Sequence, residues 1–131
     1  MIDHTGVSVT DFAASKAFYD AALGAIGYQR LLEFGPEVTQ STWVAGYGEP
    51  PKPDFWISQG KPNDPPIHIA FRVPTRALVR AFHAAALAAG GTCNGPPGIR
   101  AHYHPNYYGA FVHCPDGHNI EAVCHEPEDI R

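Results

Sequence analysis

Eight histidines stand among 131 residues, nearly as many as the nine lysines and arginines together. Two of them, His4 and His68, lie 64 residues apart, and Glu121 follows in a later β-branched run. Imidazole and carboxylate groups bind borderline divalent metals, and a set of two imidazoles and one carboxylate leaves coordination positions open for water or substrate. His4, His68 and Glu121 are therefore a candidate site for one divalent metal ion, Fe, Mn, Zn or Ni, acting on a small molecule. A lone histidine on a strand is ordinarily a partly buried structural residue. A carboxylate in mid-strand is different, because burial is costly unless the group is paired, hydrogen-bonded or metal-bound.

A second concentration of chemistry lies in residues 100–108, where His102, His104 and Tyr108 are candidates for acid/base catalysis or for hydrogen bonding to a reacting oxygen. The same segment also reads as a surface loop whose tyrosines pack as a lid. Trp56 and Trp43 are candidate pocket walls for stacking a substrate, with an ordinary core role as the alternative. Arg72 is placed to meet an anionic substrate or to remain solvated at a strand end. His83, His113, His118 and His125 have no assigned partner. Three cysteines without CxxC spacing suggest neither a disulfide framework nor a thiolate zinc site, and read as small core residues.

The elements that must position these groups come from an internal repeat. An ungapped shift of 64 residues lays 2–28 over 66–92 and matches His4 with His68, Val9 with Val73, Phe18 with Phe82, Leu23 with Leu87 and Gly27 with Gly91. Each half opens with a short β-branched run, 2–9 or 67–73, closed by Thr10-Asp11 or Pro74-Thr75, which suit a strand end followed by a helix N-cap. A helix is predicted next, over 11–24 and 75–89, with Gly24 and Gly90-Gly91 as stops. Three strand-like runs follow in each half: 27–34, 40–47 and 53–59, then 91–95, 107–113 and 118–125. The reading is an α+β fold of two βαβββ modules in one domain over 1–131. Module one covers about 1–60, a linker 60–66, and module two about 66–126. Residues 94–106 are expected to form one long irregular loop. Alternation places Ile67, Ile69, Phe71 and Val73 on one face of their strand, with His68, Ala70 and Arg72 on the other. In 118–125 it sets Ile120, Ala122 and Cys124 against Asn119, Glu121, Val123 and His125.

Composition narrows the function classes. Thirteen acidic against nine basic residues give a net charge of −4, so no basic field is available for phosphate-backbone binding and nucleic acid is not an expected partner. No apolar run is long enough to cross a bilayer, and the N-terminus lacks a basic region followed by an apolar stretch, so a cytoplasmic protein without a membrane partner is expected.

The run 114–121 (CPDGHNIE), together with His4, His68 and the first-helix residues Ser15, Phe18, Tyr19, Leu23 and Gly24, resembles the vicinal oxygen chelate superfamily. That superfamily includes glyoxalase I, extradiol dioxygenases, fosfomycin-resistance proteins, methylmalonyl-CoA epimerase and bleomycin-binding proteins. The resemblance spans essentially the whole chain. It implies two βαβββ modules curved into an incomplete, cupped β-barrel around one metal, within a homodimer whose modules pair inside or between chains. By position, His4, His68 and Glu121 match three of the family's metal ligands. The fourth family position carries Glu or Gln in glyoxalase-like members, but here the run 54–58 (DFWIS) sets Trp56, or a close neighbour, opposite Glu121 in the repeat. Indole cannot ligate a metal. The three-ligand set is more similar to dioxygenases and fosfomycin transferases, with glyoxalase-like lyase or isomerase chemistry second. A metal-free binding protein that sequesters a small molecule is the alternative, favoured by an aromatic at Trp56.

Overall fold

The computed structural model describes residues 1–128, so the last three residues of the domain expected over 1–131 lie outside the described part. Module one contains β1 (Thr5–Val9), α1 (Phe12–Gly24), β2 (Gln29–Phe34), α2 (Pro36–Thr39), β3 (Val44–Gly48) and β4 (Phe55–Gln59). Module two repeats the order with β5 (His68–Arg72), α3 (Arg76–Ala88), β6 (Thr92–Ile99), β7 (Tyr108–His113) and β8 (Asn119–Cys124). Each module forms one four-stranded sheet, ordered β1-β4-β3-β2 and β5-β8-β7-β6. The first strand of each runs parallel to the last, because the helix carries the chain back over one face, and the remaining pairings are antiparallel.

The helices form where caps and spacing agree. Asp11 accepts a hydrogen bond from the Ala14 N–H at 3.1 Å, and Thr75 does the same for Leu78 at 3.2 Å. Phe12, Ser15, Phe18, Tyr19, Ala22 and Leu23 are the buried face of α1; Val79, Phe82 and Ala86 are that of α3. Gly24 is the last residue of α1 rather than its stop, and the left-handed turn falls on Gly27 at φ 95°. Gly90, at φ 103°, ends α3 as expected.

Helix α1 packs against α3 and joins the two modules at the core. Phe55 and Phe71 meet edge to face with centroids 5.4 Å apart, and Tyr28 meets Phe71 at 5.5 Å. Phe18 of module one lies so close to Gly91 of module two that a Cβ there would sit 2.7 Å from its ring.

A second junction is polar. Asp116, in the β7–β8 turn, accepts from the Thr10 N–H at 3.0 Å, from the Thr10 hydroxyl at 2.6 Å and from the Ser15 hydroxyl at 3.5 Å. His118 is fully buried. Its Nδ1 accepts from the Ile67 N–H and its Nε2–H donates to the Ser8 carbonyl, each at 3.0 Å. One imidazole thus satisfies backbone groups at the start of β5 and within β1, a role that sequence alone did not assign to it.

Three sequence expectations change. Residues 94–106 are not one irregular loop, since β6 continues to Ile99 and pairs with β7 through Gly98↔Gly109 and Ile99↔Tyr108. The ladder tolerates Pro96-Pro97 by irregularities between Cys93 and Gly98, and the Arg100 guanidinium secures this stretch by donating to the Pro96 and Gly98 carbonyls at 2.7 and 2.9 Å. The run expected over 40–47 becomes strand only from Val44, preceded by the short helix α2, which Pro36 starts at its first turn. The first strand begins at Thr5, not at residue 2, so His4 precedes the ladder.

Two substitutions test the junctions. Gly91→Ala should lower stability by about 1–3 kcal/mol through overpacking against Phe18, Val112 and the Ala86 carbonyl, measured by denaturant unfolding. His118→Ala, which strands two backbone groups and opens a cavity, should cost about 3 kcal/mol in the same assay. A change under about 0.5 kcal/mol in either would contradict the packing described.

Candidate metal centre

Parallel pairing of β5 with β8 sets Ala70 opposite Glu121 and His68 opposite Asn119. His68 and Glu121 therefore project from the same face of the sheet, the face turned away from the helices. Their side chains meet, with His68 Nε2 and Glu121 Oε1 2.9 Å apart. The separation is that of an ordinary hydrogen bond, and it sets an imidazole nitrogen and a carboxylate oxygen side by side, the donor types that divalent metals take. The Glu121 side chain is 1% exposed and that of His68 is 53% exposed, so the pair has one anchored and one accessible member.

The second oxygen of Glu121 accepts a hydrogen bond from the Tyr107 hydroxyl. Burial, and then the Glu121 carboxylate itself, push the Tyr107 phenol well above its ordinary value, which keeps the hydroxyl a donor. Gly109 on β7 makes room for this contact, since a Cβ there would lie 3.2 Å from Glu121 Oε2 and 3.3 Å from the Tyr107 ring. Phe111, the β7 partner of Glu121, forms the adjoining wall with its ring centroid 6.2 Å from that of His68.

Tyr107 was not singled out in the sequence, where Tyr108 was preferred. The structure turns Tyr108 toward α3, where its hydroxyl accepts from Arg80 at 3.3 Å and its ring lies under the Arg76 and Arg80 guanidinium groups. The signal that finds Tyr107 is alternation: Phe111, Gly109 and Tyr107 share parity along the chain with the partner of Glu121. His102 is exposed and rests on Tyr103 at 4.1 Å, away from the pair. His104 points to His125, with Nε2 and Nδ1 2.8 Å apart, and both rings stand edge-on to Tyr107 at 5.6 and 5.4 Å. Neither His102 nor His104 reaches Glu121 directly.

His4 immediately precedes β1, at the edge of the other sheet. It is exposed, with Nδ1 2.6 Å from the Asp3 carboxylate. That hydrogen bond, and next Lys52 at 3.0 Å, hold the Asp3 carboxyl below its usual range. His4 borders an open depression with Gly6, Val44, Trp56 and Ser58. The strand registers make the repeat correspondence explicit: Gly6 pairs with Trp56 as Ala70 pairs with Glu121, and a histidine stands two residues before each. Trp56 is thus the counterpart of Glu121. Its indole lies over Gly46, where a Cβ would come within 2.9 Å of the ring. Trp43 is elsewhere, 40% exposed and tilted against Phe12 at 5.8 Å, in a depression that also includes Lys16, Glu33 and Gln59. Arg72 is exposed on the His68 face and borders a hollow with His125 and Glu126. Among the described residues it forms no ion pair.

Two groups fit a divalent ion within one chain: His68 Nε2 and Glu121 Oε1. Among the described residues, no three His, Cys, Asp or Glu side chains converge, so any third protein ligand comes from outside this cluster. No helix among the described residues is long and apolar enough to cross a membrane.

Comparison with known proteins adds a family. The model of the Glyoxalase/Bleomycin resistance protein/Dioxygenase superfamily matches residues 1–122. No curated protein matches the chain. Among solved structures, a glyoxalase/bleomycin resistance protein from Albidiferax ferrireducens T118 is 29% identical, with a TM-score of 0.70 over 95% of this chain and 98% of that one. A glyoxalase/bleomycin resistance protein/dioxygenase family enzyme from Burkholderia phytofirmans PsJN is 20% identical, with a TM-score of 0.69 over 95% and 98%. A variant of the fosfomycin resistance protein FosX from Listeria monocytogenes, complexed with Mn(II) and 1S,2S-dihydroxypropylphosphonic acid, is 16% identical, with a TM-score of 0.66 over 95% and 91%. The last two likenesses are of fold.

Proposed function

The chain belongs to the glyoxalase/bleomycin resistance protein/dioxygenase superfamily, and we propose that it is a divalent-metal-dependent enzyme acting on a small oxygen-rich or aromatic molecule. The observation that carries this reading is the 2.9 Å approach of His68 Nε2 to a buried Glu121 oxygen on a face no helix covers. Imidazole with carboxylate suits Fe, Mn, Zn or Ni. A fold neighbour complexed with Mn(II) and a dihydroxypropylphosphonic acid is in keeping with that donor set and with an oxygen-rich substrate.

His68 and Glu121 would hold the ion, and His4 of a second copy would supply the third ligand. Both sheets bury one face under a helix and leave the other open, and His4 adjoins the open sheet that lacks the carboxylate. A homodimer that apposes sheet one of each copy to sheet two of the other would bring the three groups together. The bound ion would supply Lewis-acid stabilisation of negative charge on vicinal substrate oxygens. The chain's own residues do the rest. Phe111 of the same chain and Trp56 of the second copy wall the site and exclude water, Arg72 orients an anionic group on the His68 side, and Tyr107 keeps Glu121 in place. A three-ligand protein set would leave coordination positions open for substrate, so dioxygenase-like chemistry leads and glyoxalase-like lyase or isomerase chemistry follows.

Trp56 supports a second reading, a metal-free protein that sequesters a small aromatic or oxygen-rich ligand against the indole. A pure binder, however, has no physical need for a buried carboxylate facing an imidazole.

Elemental analysis separates the two. The purified protein should carry about one divalent ion per chain, and His68→Ala and Glu121→Ala should each lose it while Trp56→Ala keeps it. Light scattering should give twice the 14.2 kDa chain mass. Absence of binding after Fe(II), Mn(II), Zn(II) and Ni(II) are offered, with Trp56-dependent ligand binding retained, would establish the binder instead.

A further inference from the structure

Glu121 has two oxygens, and the structure gives them different partners: Oε1 faces His68 Nε2 and Oε2 accepts from Tyr107. What keeps Tyr107 in that position is an arrangement that the sequence did not reveal. Its ring is flanked by three others, Tyr103 at 4.7 Å, His104 at 5.6 Å and His125 at 5.4 Å, the two imidazoles meeting it edge to face. The imidazoles are themselves locked together. The Asn106 N–H donates to His104 Nδ1 at 3.1 Å, which places the His104 proton on Nε2. Nε2–H then donates to His125 Nδ1 at 2.8 Å, with the rings stacked at 5.1 Å. His104 lies in the turn before β7 and His125 directly after β8, so this pair ties the turn that carries Tyr107 to the strand that carries Glu121.

We propose that Tyr107, braced by the His104–His125 pair, is a positioning residue that commits Oε2 of Glu121 and leaves Oε1, beside His68, as the oxygen available to a metal. The proposal rests on the metal-site reading above. It makes two histidines that touch neither ligand determinants of metal affinity, because a carboxylate freed to rotate loses the alignment that the 2.9 Å contact records. Tyr107 acts through Glu121, and the brace acts through Tyr107. The hydroxyl matters for its hydrogen bond, the imidazoles for where they put the ring.

Mn(II) titration of the purified full-length protein, followed by electron paramagnetic resonance of the free aqua ion, tests this together with thermal unfolding of the apoprotein. Tyr107→Phe removes one hydroxyl and keeps the ring, and should weaken Mn(II) binding about tenfold or more with the unfolding midpoint nearly unchanged. His125→Ala should weaken binding in the same direction. His125→Asn, whose Oδ1 can accept the His104 proton in place of Nδ1, should restore it. The double variant Tyr107→Phe/His125→Ala should bind no more weakly than Tyr107→Phe alone, since both changes act on one hydrogen bond. Wild-type affinity in Tyr107→Phe, or additive losses in the double variant, would overturn the positioning role while leaving the metal site standing. A wild-type protein that binds no Mn(II), Fe(II), Zn(II) or Ni(II) would remove the metal-site reading and this proposal with it.

Discussion

Glu121, at 1% exposure in the middle of β8, constrains the whole second module. An unpaired carboxylate there would cost several kcal/mol, so both of its oxygens need partners and each partner needs a support. Parallel pairing of β5 with β8 brings His68 to one oxygen, and the absence of a side chain at Gly109 lets Tyr107 reach the other. The turn 114–118, which feeds β8, is fixed in turn by Asp116 on the start of α1 and by His118 between β1 and β5. A site on the second sheet is therefore held in place partly by the first module.

The repeat explains both the likeness of the modules and their division of labour. Equivalent registers put a histidine, a small residue and a large side chain in the same relation on each sheet, but the large side chain is Trp56 on one and Glu121 on the other. An indole resting on Gly46 offers a flat apolar wall, whereas a carboxylate set among an imidazole and a phenol offers charge. In the proposed reading, one open face surrounds a ligand and the other holds an ion. Among the described residues no third ligand-type side chain joins His68 and Glu121, which is the ground for proposing that one comes from a second copy.

Much of this was legible in the sequence because the repeat fixes the phase of each strand. The two modules, the helix starts near Thr10-Asp11 and Pro74-Thr75, and the shared face of His68 and Arg72 follow from offset and alternation, whereas the match of Trp56 with Glu121, 65 residues apart rather than 64, comes from the strand registers. The parts that were not legible depend on pairing rather than local pattern. β6 crosses Pro96-Pro97 because irregularities and Arg100 hold it against β7, which no propensity predicts. Tyr107 and Tyr108 differ only in parity at the start of their strand, and which parity faces Glu121 is set by the pairing of β7 with β8. His118 reads as a turn residue until Ile67 and Ser8, from two distant strands, are seen on its two nitrogens. His104 and His125 gain their meaning in the same way, from a contact across 21 positions.

The proposed metal centre joins His68 and Glu121 of one chain with His4 of another. It is tested most directly by mixing two variants, His4→Ala and Glu121→Ala, each unable to bind metal alone, and measuring metal content after subunit exchange. A shared site leaves one intact centre in each mixed dimer, so random exchange should restore about a quarter of the wild-type metal. No recovery, with exchange verified by mass, would contradict the account.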